Sequence, residues 1–258
     1  LSRRWRPNVS PQPLLQPIPV LVGGVVVTAV FSALCWPLPL HLTTSHVISS
    51  FGDSHVWAMD HIARMMLGDE PWSTSTFRAG YPYVVDARFI AWGPGLLAIP
   101  LRALLGPLGA YNVVMLLTPA LNHLVTYFLL RSITKAPPWV AAGGAMVAAL
   151  CPFTLVSLAN GQIAKAQLWI WSFYLLVLWR STGDRARPWL ITTLPLVTLL
   201  GIFTSPYFGL LLPLFAAPVA LARAWWGAPE TRKRRIILSL GALLATAAVY
   251  PLAKAYYS

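Results

Sequence analysis

Seven apolar stretches follow one another along this chain of 258 residues. A membrane-spanning helix needs about 20 consecutive, mostly apolar residues, and most of these stretches reach that length. Only 10% of the residues are charged, whereas a soluble domain carries about 25%. We therefore predict an all-α integral membrane protein with about seven transmembrane helices. The stretches are residues 19–40, 108–130, 139–158, 166–179, 189–205, 207–226 and 236–256.

Residues 93–105 are also apolar but short, and they form either a re-entrant or interfacial segment or an eighth crossing. Loops on the cytoplasmic side of a membrane protein are enriched in Lys and Arg. If 93–105 does not cross, the cytoplasmic segments hold 13 of the 19 Lys and Arg residues. If it does cross, every later loop changes side and this bias disappears. We therefore predict seven crossings, a cytoplasmic N-terminus, and a large outer loop at 41–92.

The chain forms a single transmembrane domain over residues 1–258, with the remaining spans in 106–258. Because it begins at Leu1 and stops directly after an apolar stretch, we expect a fragment of a longer protein. The net charge of +12 does not predict nucleic-acid binding, since the basic residues separate apolar spans and do not line one face. Cys35 and Cys151 are read as buried thiols, or as a disulfide if the outer face is oxidising.

Five of the seven acidic residues fall within the predicted outer loop. Residues 53–67 carry apolar side chains at three- and four-residue steps, which predicts an amphipathic interfacial helix. Asp53, at its start, is either a helix cap or a site carboxylate. Asp53, Trp57 and Asp60 share one face by spacing. The five acids are Asp53, Asp60, Asp69, Glu70 and Asp86.

The other acids have simpler interpretations that compete with a site. Asp60 is read either as a solvated surface charge or as a partner of Asp53. Asp69 and Glu70 sit in a turn of sequence GDEP and are predicted to face solvent. Asp86 is read either as a local ion pair with Arg88 or as the second site carboxylate.

Aromatic and polar residues extend the predicted site. Trp57 and Tyr81 have rings suited to sugar stacking or to the membrane interface. A second outer segment, 159–167, contributes Gln162 and Lys165, and the lysine either extends to the interface or contacts a phosphate. The sequence contains no metal-ligand spacing, phosphate loop or dinucleotide motif, so no metal or other cofactor is predicted.

The order of these motifs resembles the N-terminal half of bacterial GT-C-type integral membrane glycosyltransferases over most of residues 19–180. The segments that carry the resemblance are GDSHVWAMDHIARMMLGDEP, GPGLLAIPLRALLGPLGAYNVVMLL, YFLLRSITK, CPF and NGQIAKAQLWIW. The resemblance implies a cell-envelope enzyme of the bacterial inner membrane, with membrane lipids and a polyprenyl-phosphate-linked sugar as its partners. Nucleic acid is not among them, and the oligomeric state is left open.

In such enzymes an acidic residue of the first outer loop acts as catalytic base or as a metal-binding or positioning group. Asp53 matches that position, and Asp60 and Asp86 compete for a second acidic role. The leaving polyprenyl phosphate needs cations, and Arg78, Arg88 and Lys165 are the candidates on the outer side. Trp57, Tyr81 and Gln162 are the candidate substrate contacts.

A non-catalytic transporter, lipid flippase or assembly subunit is the alternative function. Transporters place ionisable groups within their spans or at broken helices near the midplane. The spans of this chain contain few such groups, Arg102 and His123 being the main exceptions. The clustering of acids in an outer loop therefore favours interfacial chemistry.

Overall fold

The computed structural model of the protein describes residues 16–45, 52–70, 78–79, 85–86, 91–183, 187–225 and 229–252. These residues are almost entirely helical, as the apolar stretches predict. The helices are α1 (Pro17–Leu34), α2 (Gly52–Leu67), α3 (Trp92–Thr134), α4 (Pro138–Ala149), α5 (Pro152–Ala159), α6 (Leu168–Ser181), α7 (Thr193–Thr204), α8 (Pro206–Trp225) and α9 (Arg232–Ala247). Short 3₁₀ segments lie at Leu38–Leu40, Pro188–Thr192 and Pro229–Thr231, and the two-residue strands β1 (Arg78–Ala79) and β2 (Val85–Asp86) pair antiparallel.

Three helical segments of the described chain are long and apolar enough to cross a membrane: α1, α3 and Pro229–Leu252. A fourth exists if α4 and α5, which are bent by 40° at Leu150–Cys151, form one span. Large apolar side chains on α1 face outward, with Ile18, Leu21 and Val25 each more than 60% exposed. Such a surface suits lipid rather than water. The predicted all-α architecture is therefore confirmed, and the three candidate spans are consistent with the predicted integral membrane protein.

Helix α3 is broken into two arms at Gly106. This glycine has φ 70° and ψ 179°, a backbone conformation that side-chain-bearing residues rarely adopt, and Pro107 follows it. Leu97 of the first arm (92–105) and Leu124 of the second arm (107–134) line the same groove of about 310 Å³. In a straight helix, 27 residues would span about 40 Å. The two arms therefore lie side by side as a helical hairpin.

The second arm of α3 is the centre of the fold, and it packs against α1, α4 and α6. Its interface with α6 is polar. Asn122 donates from Nδ2 to the Ala166 carbonyl and accepts from the Trp169 amide, both at 2.8 Å. Thr126 and Ser172 share a hydrogen bond of 2.9 Å further along. The contacts advance together along both chains, so the second arm and α6 run parallel.

The bundle therefore has two distinguishable ends. At one, which we call the α2 end, the Ala91 amide donates to the Thr204 carbonyl at 3.0 Å, and the Tyr111 hydroxyl lies 3.5 Å from the Gly161 carbonyl. At the other, which we call the basic end, Trp179 Nε1 donates to the Ser132 carbonyl at 3.1 Å. The first arm of α3 begins beside Thr204 and turns at Gly106, so both of its ends lie in the α2 half of the bundle.

Candidate functional site

Helix α2 forms the floor of the predicted site, and its boundaries match the predicted helix at 53–67. Apolar side chains, including Met59 and Ile62, are buried against the first arm of α3. The approach is close, because a Cβ at Gly95 would lie only 2.9 Å from the Cβ of Ile62. Met66, predicted on the apolar face, is 43% exposed. The helix therefore docks on protein over much of its circumference instead of only lying on a membrane surface.

Asp53 and Asp60 occupy different environments on this helix. Asp53 is exposed in the first turn, where the positive end of the helix dipole favours a carboxylate. Asp60 is only 7% exposed, so the interpretation as a solvated surface charge is wrong. Arg64 Nε donates to Asp60 Oδ2 at 2.8 Å, and Arg102 Nε donates to Asp60 Oδ1. Asp60 thus joins α2 to the first arm of α3.

Glu70 also departs from the prediction that it faces solvent. Its side chain is 26% exposed, its Oε1 lies 2.7 Å from Arg64 Nη1, and its Oε2 lies 2.5 Å from His61 Nδ1. Asp69 is 54% exposed with its Oδ2 3.8 Å from Arg102 Nη1, which matches the expected solvent-facing charge. The turn after α2 therefore folds back over the helix. It is held by the two arginines that bind Asp60, since Arg64 contacts Glu70 and Arg102 contacts Asp69.

The ring of Trp57 stacks on that of His61, with a centroid separation of 4.8 Å and an interplanar angle of 13°. Trp57 is half-buried, so one face of the indole is occupied by the imidazole and part of the ring stays accessible. This arrangement leaves room for a stacking role while fixing the ring orientation. The position of Trp57 is thus set by the network that contains Asp60 and Glu70.

The segment 160–167 meets α2 at the same end of the bundle. Ile163 and Ala164 share one apolar cluster with Ala58 and Met59 of α2 and with Tyr111 of α3. The Asp53 carboxylate lies within electrostatic range of the Tyr111 phenol, which in turn reaches the Gly161 carbonyl.

Gln162 and Lys165 are half-buried members of this segment, and the Lys165 amide donates to the Gln162 carbonyl at 3.0 Å. The structure therefore brings the two predicted outer segments together, with Asp53, Gln162 and Lys165 at one end.

The remaining predicted residues fall in or near β1 and β2. Arg78 and Asp86 are register partners in the antiparallel pair, so a predicted phosphate ligand and a predicted carboxylate share one rung. The predicted pairing of Asp86 with Arg88 is not tested, because Arg88 lies outside the described residues. The predicted substrate contact Tyr81 also lies outside them.

One further titratable group borders the α2 end. Cys35 follows α1 and packs against the apolar cluster that contains Tyr111. Burial raises the pKa of the Cys35 thiol, which makes it a poor nucleophile at neutral pH. Both cysteines are free thiols, so the disulfide alternative is not formed. Among the described residues, no group of three or more His, Cys, Asp and Glu side chains is arranged to hold a metal ion.

The sequence did not identify Arg102 or Tyr111 as parts of the site. Arg102 lies on the first arm of α3, which packs on α2, and no local pattern signals that contact. Tyr111 is buried among apolar residues, so its sequence context reads as core. The dipeptide Gly106-Pro107 was the available signal for the break in α3, since glycine followed by proline interrupts a helical pattern.

Comparison of the chain with protein-family models, with curated protein sequences and with solved structures gives no match. The functional interpretation therefore rests on the residues and their geometry.

Proposed function

We propose that the protein is a GT-C-like integral membrane glycosyltransferase that moves a sugar from a polyprenyl-phosphate donor to an acceptor at the α2 end. One observation carries this proposal. The exposed Asp53 carboxylate lies at the same end of the bundle as Gln162 and Lys165, although more than a hundred residues separate them in sequence. A carboxylate with cationic and polar neighbours at the edge of an apolar bundle suits transfer from a lipid-linked donor.

The proposed topology has seven crossings, formed by α1, the second arm of α3, α4 with α5, α6, α7, α8 and α9. The parallel course of α6 and the second arm of α3 agrees with this count. So does the position of the first arm, both of whose ends lie in the α2 half. The α2 end is then the outer face, and the basic end faces the cytoplasm.

In the proposed reaction, the Asp53 carboxylate takes the proton of the acceptor hydroxyl as its oxygen attacks the anomeric carbon. The bond between that carbon and the phosphate oxygen breaks, and the polyprenyl phosphate leaves with the electron pair. Asp60 is paired with two arginines, so we assign it to positioning α2 rather than to accepting the proton. Asp86 stays an alternative second carboxylate, with Arg78 opposite it.

The leaving phosphate requires nearby cations. Arg64 and Arg102 bind Asp60 and Glu70, so we assign them to holding α2 and the turn after it. The proposal retains Lys165, Arg78 and Arg88 as phosphate ligands, and Trp57, Tyr81 and Gln162 as substrate contacts.

Membranes that contain the wild-type protein should transfer label from a panel of radiolabelled polyprenyl-phosphate hexoses and pentoses. Asp53→Asn keeps the size of the side chain but removes the base, and it should abolish transfer without changing expression. Asp69→Asn is the matched control, because Asp69 is also an exposed acid and lies on the turn after the same helix. Retained transfer in Asp53→Asn, or equal loss in both variants, would sink the assignment.

A lipid flippase or transporter is the second candidate function, and the helix breaks favour it. Discontinuous helices at Gly106 and at Leu150–Cys151 are typical of transport proteins. Two apolar grooves of about 510 and 310 Å³ share Ala120 and Leu124 on the second arm of α3, and such grooves could accommodate lipid chains. In proteoliposomes, both the wild type and Asp53→Asn would then move a fluorescent lipid from one leaflet of the bilayer to the other. Such movement without sugar transfer would favour this function.

A further inference from the structure

The basic end of the bundle collects charge of one sign. The ends of α3, α6 and α8 come together there, and the start of α9 and the 3₁₀ segment Pro188–Thr192 lie at the same end. Nine Lys and Arg residues of the described chain lie on these elements, and Glu230 is the one acidic residue among the described residues of this end. The nine are Arg131, Lys135, Arg180, Arg187, Arg223, Arg232, Lys233, Arg234 and Arg235.

Backbone contacts bring some of these cations together despite their repulsion. The Arg187 amide donates to the Arg180 carbonyl at 3.3 Å, so the backbones of these two arginines are in contact. Arg187, Lys233 and Arg234 are exposed, and no ion pair between described residues joins them to a carboxylate. Like charges held this close cost free energy unless an anion offsets them.

Two arginines of this end are held against indole rings. The guanidinium carbon of Arg223 lies 4.0 Å from the ring centroid of Trp179, and that of Arg232 lies 3.8 Å from the ring centroid of Trp225. Stacking covers one face of the guanidinium while its N–H donors stay in the ring plane. Those donors have the geometry that binds phosphate oxygens.

Tryptophans also mark the level of this end relative to a bilayer. Trp139, Trp189 and Trp225 are each more than half exposed. Trp side chains concentrate where lipid headgroups meet the hydrocarbon core. The apolar helices that could cross a membrane leave from this same level, so the cations lie where lipid phosphates would be.

We propose that the basic end is a binding site for the phosphate headgroups of anionic phospholipids. The stacked Arg232 and the exposed Arg187, Lys233 and Arg234 supply the donors, and the exposed tryptophans border the acyl chains. This site is separate from the α2 end and does not depend on the proposed glycosyl transfer. A negatively charged lipid surface contributes attraction for each nearby Lys or Arg, which amounts to roughly fivefold in affinity per residue.

The test uses the full chain purified in detergent and titrated with phosphatidylglycerol or phosphatidylcholine, with bound lipid counted by native mass spectrometry. The wild type should bind phosphatidylglycerol at least roughly a hundredfold more tightly than phosphatidylcholine. The triple variant Arg187→Gln/Lys233→Gln/Arg234→Gln should lose roughly a hundredfold in phosphatidylglycerol affinity, with phosphatidylcholine binding unchanged. Equal affinity of the wild type for both lipids, or an undiminished preference in the triple variant, would overturn the proposal.

Two matched variants separate charge from folding. The charge-preserving variant Arg187→Lys/Lys233→Arg/Arg234→Lys should keep the preference for phosphatidylglycerol, whereas Glu230→Gln should increase it. If the triple variant fails to fold, the exposed single change Arg187→Gln should lower the affinity roughly fivefold. Inorganic phosphate serves as the soluble probe. Its displacement of phosphatidylglycerol at millimolar concentration would overturn the lipid assignment in favour of a free phosphate, whereas failure to displace would support it.

Discussion

Replacing Asp60 by Asn tests whether this carboxylate holds α2 on the first arm of α3. The change keeps the side-chain volume but leaves Arg64 and Arg102 without their negative partner. Breaking a fully buried ion pair costs about 3–5 kcal/mol. Here Asp60 is buried, but Arg64 is 35% and Arg102 is 26% exposed, so water screens the orphaned cations. We therefore expect a loss of about 2–3 kcal/mol, less than the buried limit and more than an exposed pair.

The assay is thermal unfolding of the purified protein in detergent, followed by tryptophan fluorescence. For a chain of this length, a loss of about 2–3 kcal/mol corresponds to a fall in Tm of roughly 4–12 °C. Asp69→Asn is the matched control, because Asp69 lies 3.8 Å from the same Arg102 but is 54% exposed, and it should cost about 0.5 kcal/mol or less. In the variant Asp60→Asn/Arg102→Gln, part of the loss should be recovered because one orphaned charge is gone. Equal Tm values for Asp60→Asn and Asp69→Asn would refute the reasoning.

Three further changes probe the fold around the site. Gly106→Ala should destabilise the protein by about 1–2 kcal/mol in the same thermal assay, because its φ of 70° is unfavourable for alanine, whereas Gly143→Ala, with nothing within 4 Å of the added Cβ, should be neutral or stabilising. Asn122→Ala should cost about 1–3 kcal/mol, since it leaves the Trp169 amide without its partner and removes one of the two donors to the Ala166 carbonyl, while the exposed Thr44→Ala should not change Tm. In a Cys151→Ala background, alkylation of Cys35 by iodoacetamide should accelerate only at a pH above that for a free cysteine peptide, because burial raises the pKa of this thiol and the thiolate is the reactive form; a rate profile matching the peptide would contradict the burial.

Most of the helices could be predicted from the sequence because their signal is local. Apolar runs bounded by Pro, Gly and basic residues set the limits of α6 and α8 to within two residues. Helix α2 followed from its periodicity alone. The first helix ends at Leu34 instead of 40, because the prolines at 37 and 39 favour the 3₁₀ segment that follows.

The contacts of the acids could not be predicted in this way. Asp60 is bound by Arg102, which lies 42 residues further along the chain and comes close only because the first arm of α3 packs on α2. Glu70 was expected to face solvent because its GDEP context is that of a turn. Its pairing with His61, nine residues earlier, depends on the turn folding back over α2. Pattern analysis sees spacing along one element, and these pairs join separate elements.

The distribution of charge between the two ends gives the site its remaining constraint. At the α2 end, the carboxylates of Asp60 and Glu70 engage the guanidinium groups of Arg64 and Arg102, so these four charges largely cancel. Most of the net charge of +12 that can be located lies instead at the basic end. In the proposed reaction, the phosphate that leaves at the α2 end thus meets little general positive potential and depends on a few local cations. Among the proposed phosphate ligands, the described fold brings Lys165 to the same end as Asp53. Lys165→Gln should therefore impair transfer by the proposed enzyme more than any single neutralisation at the basic end.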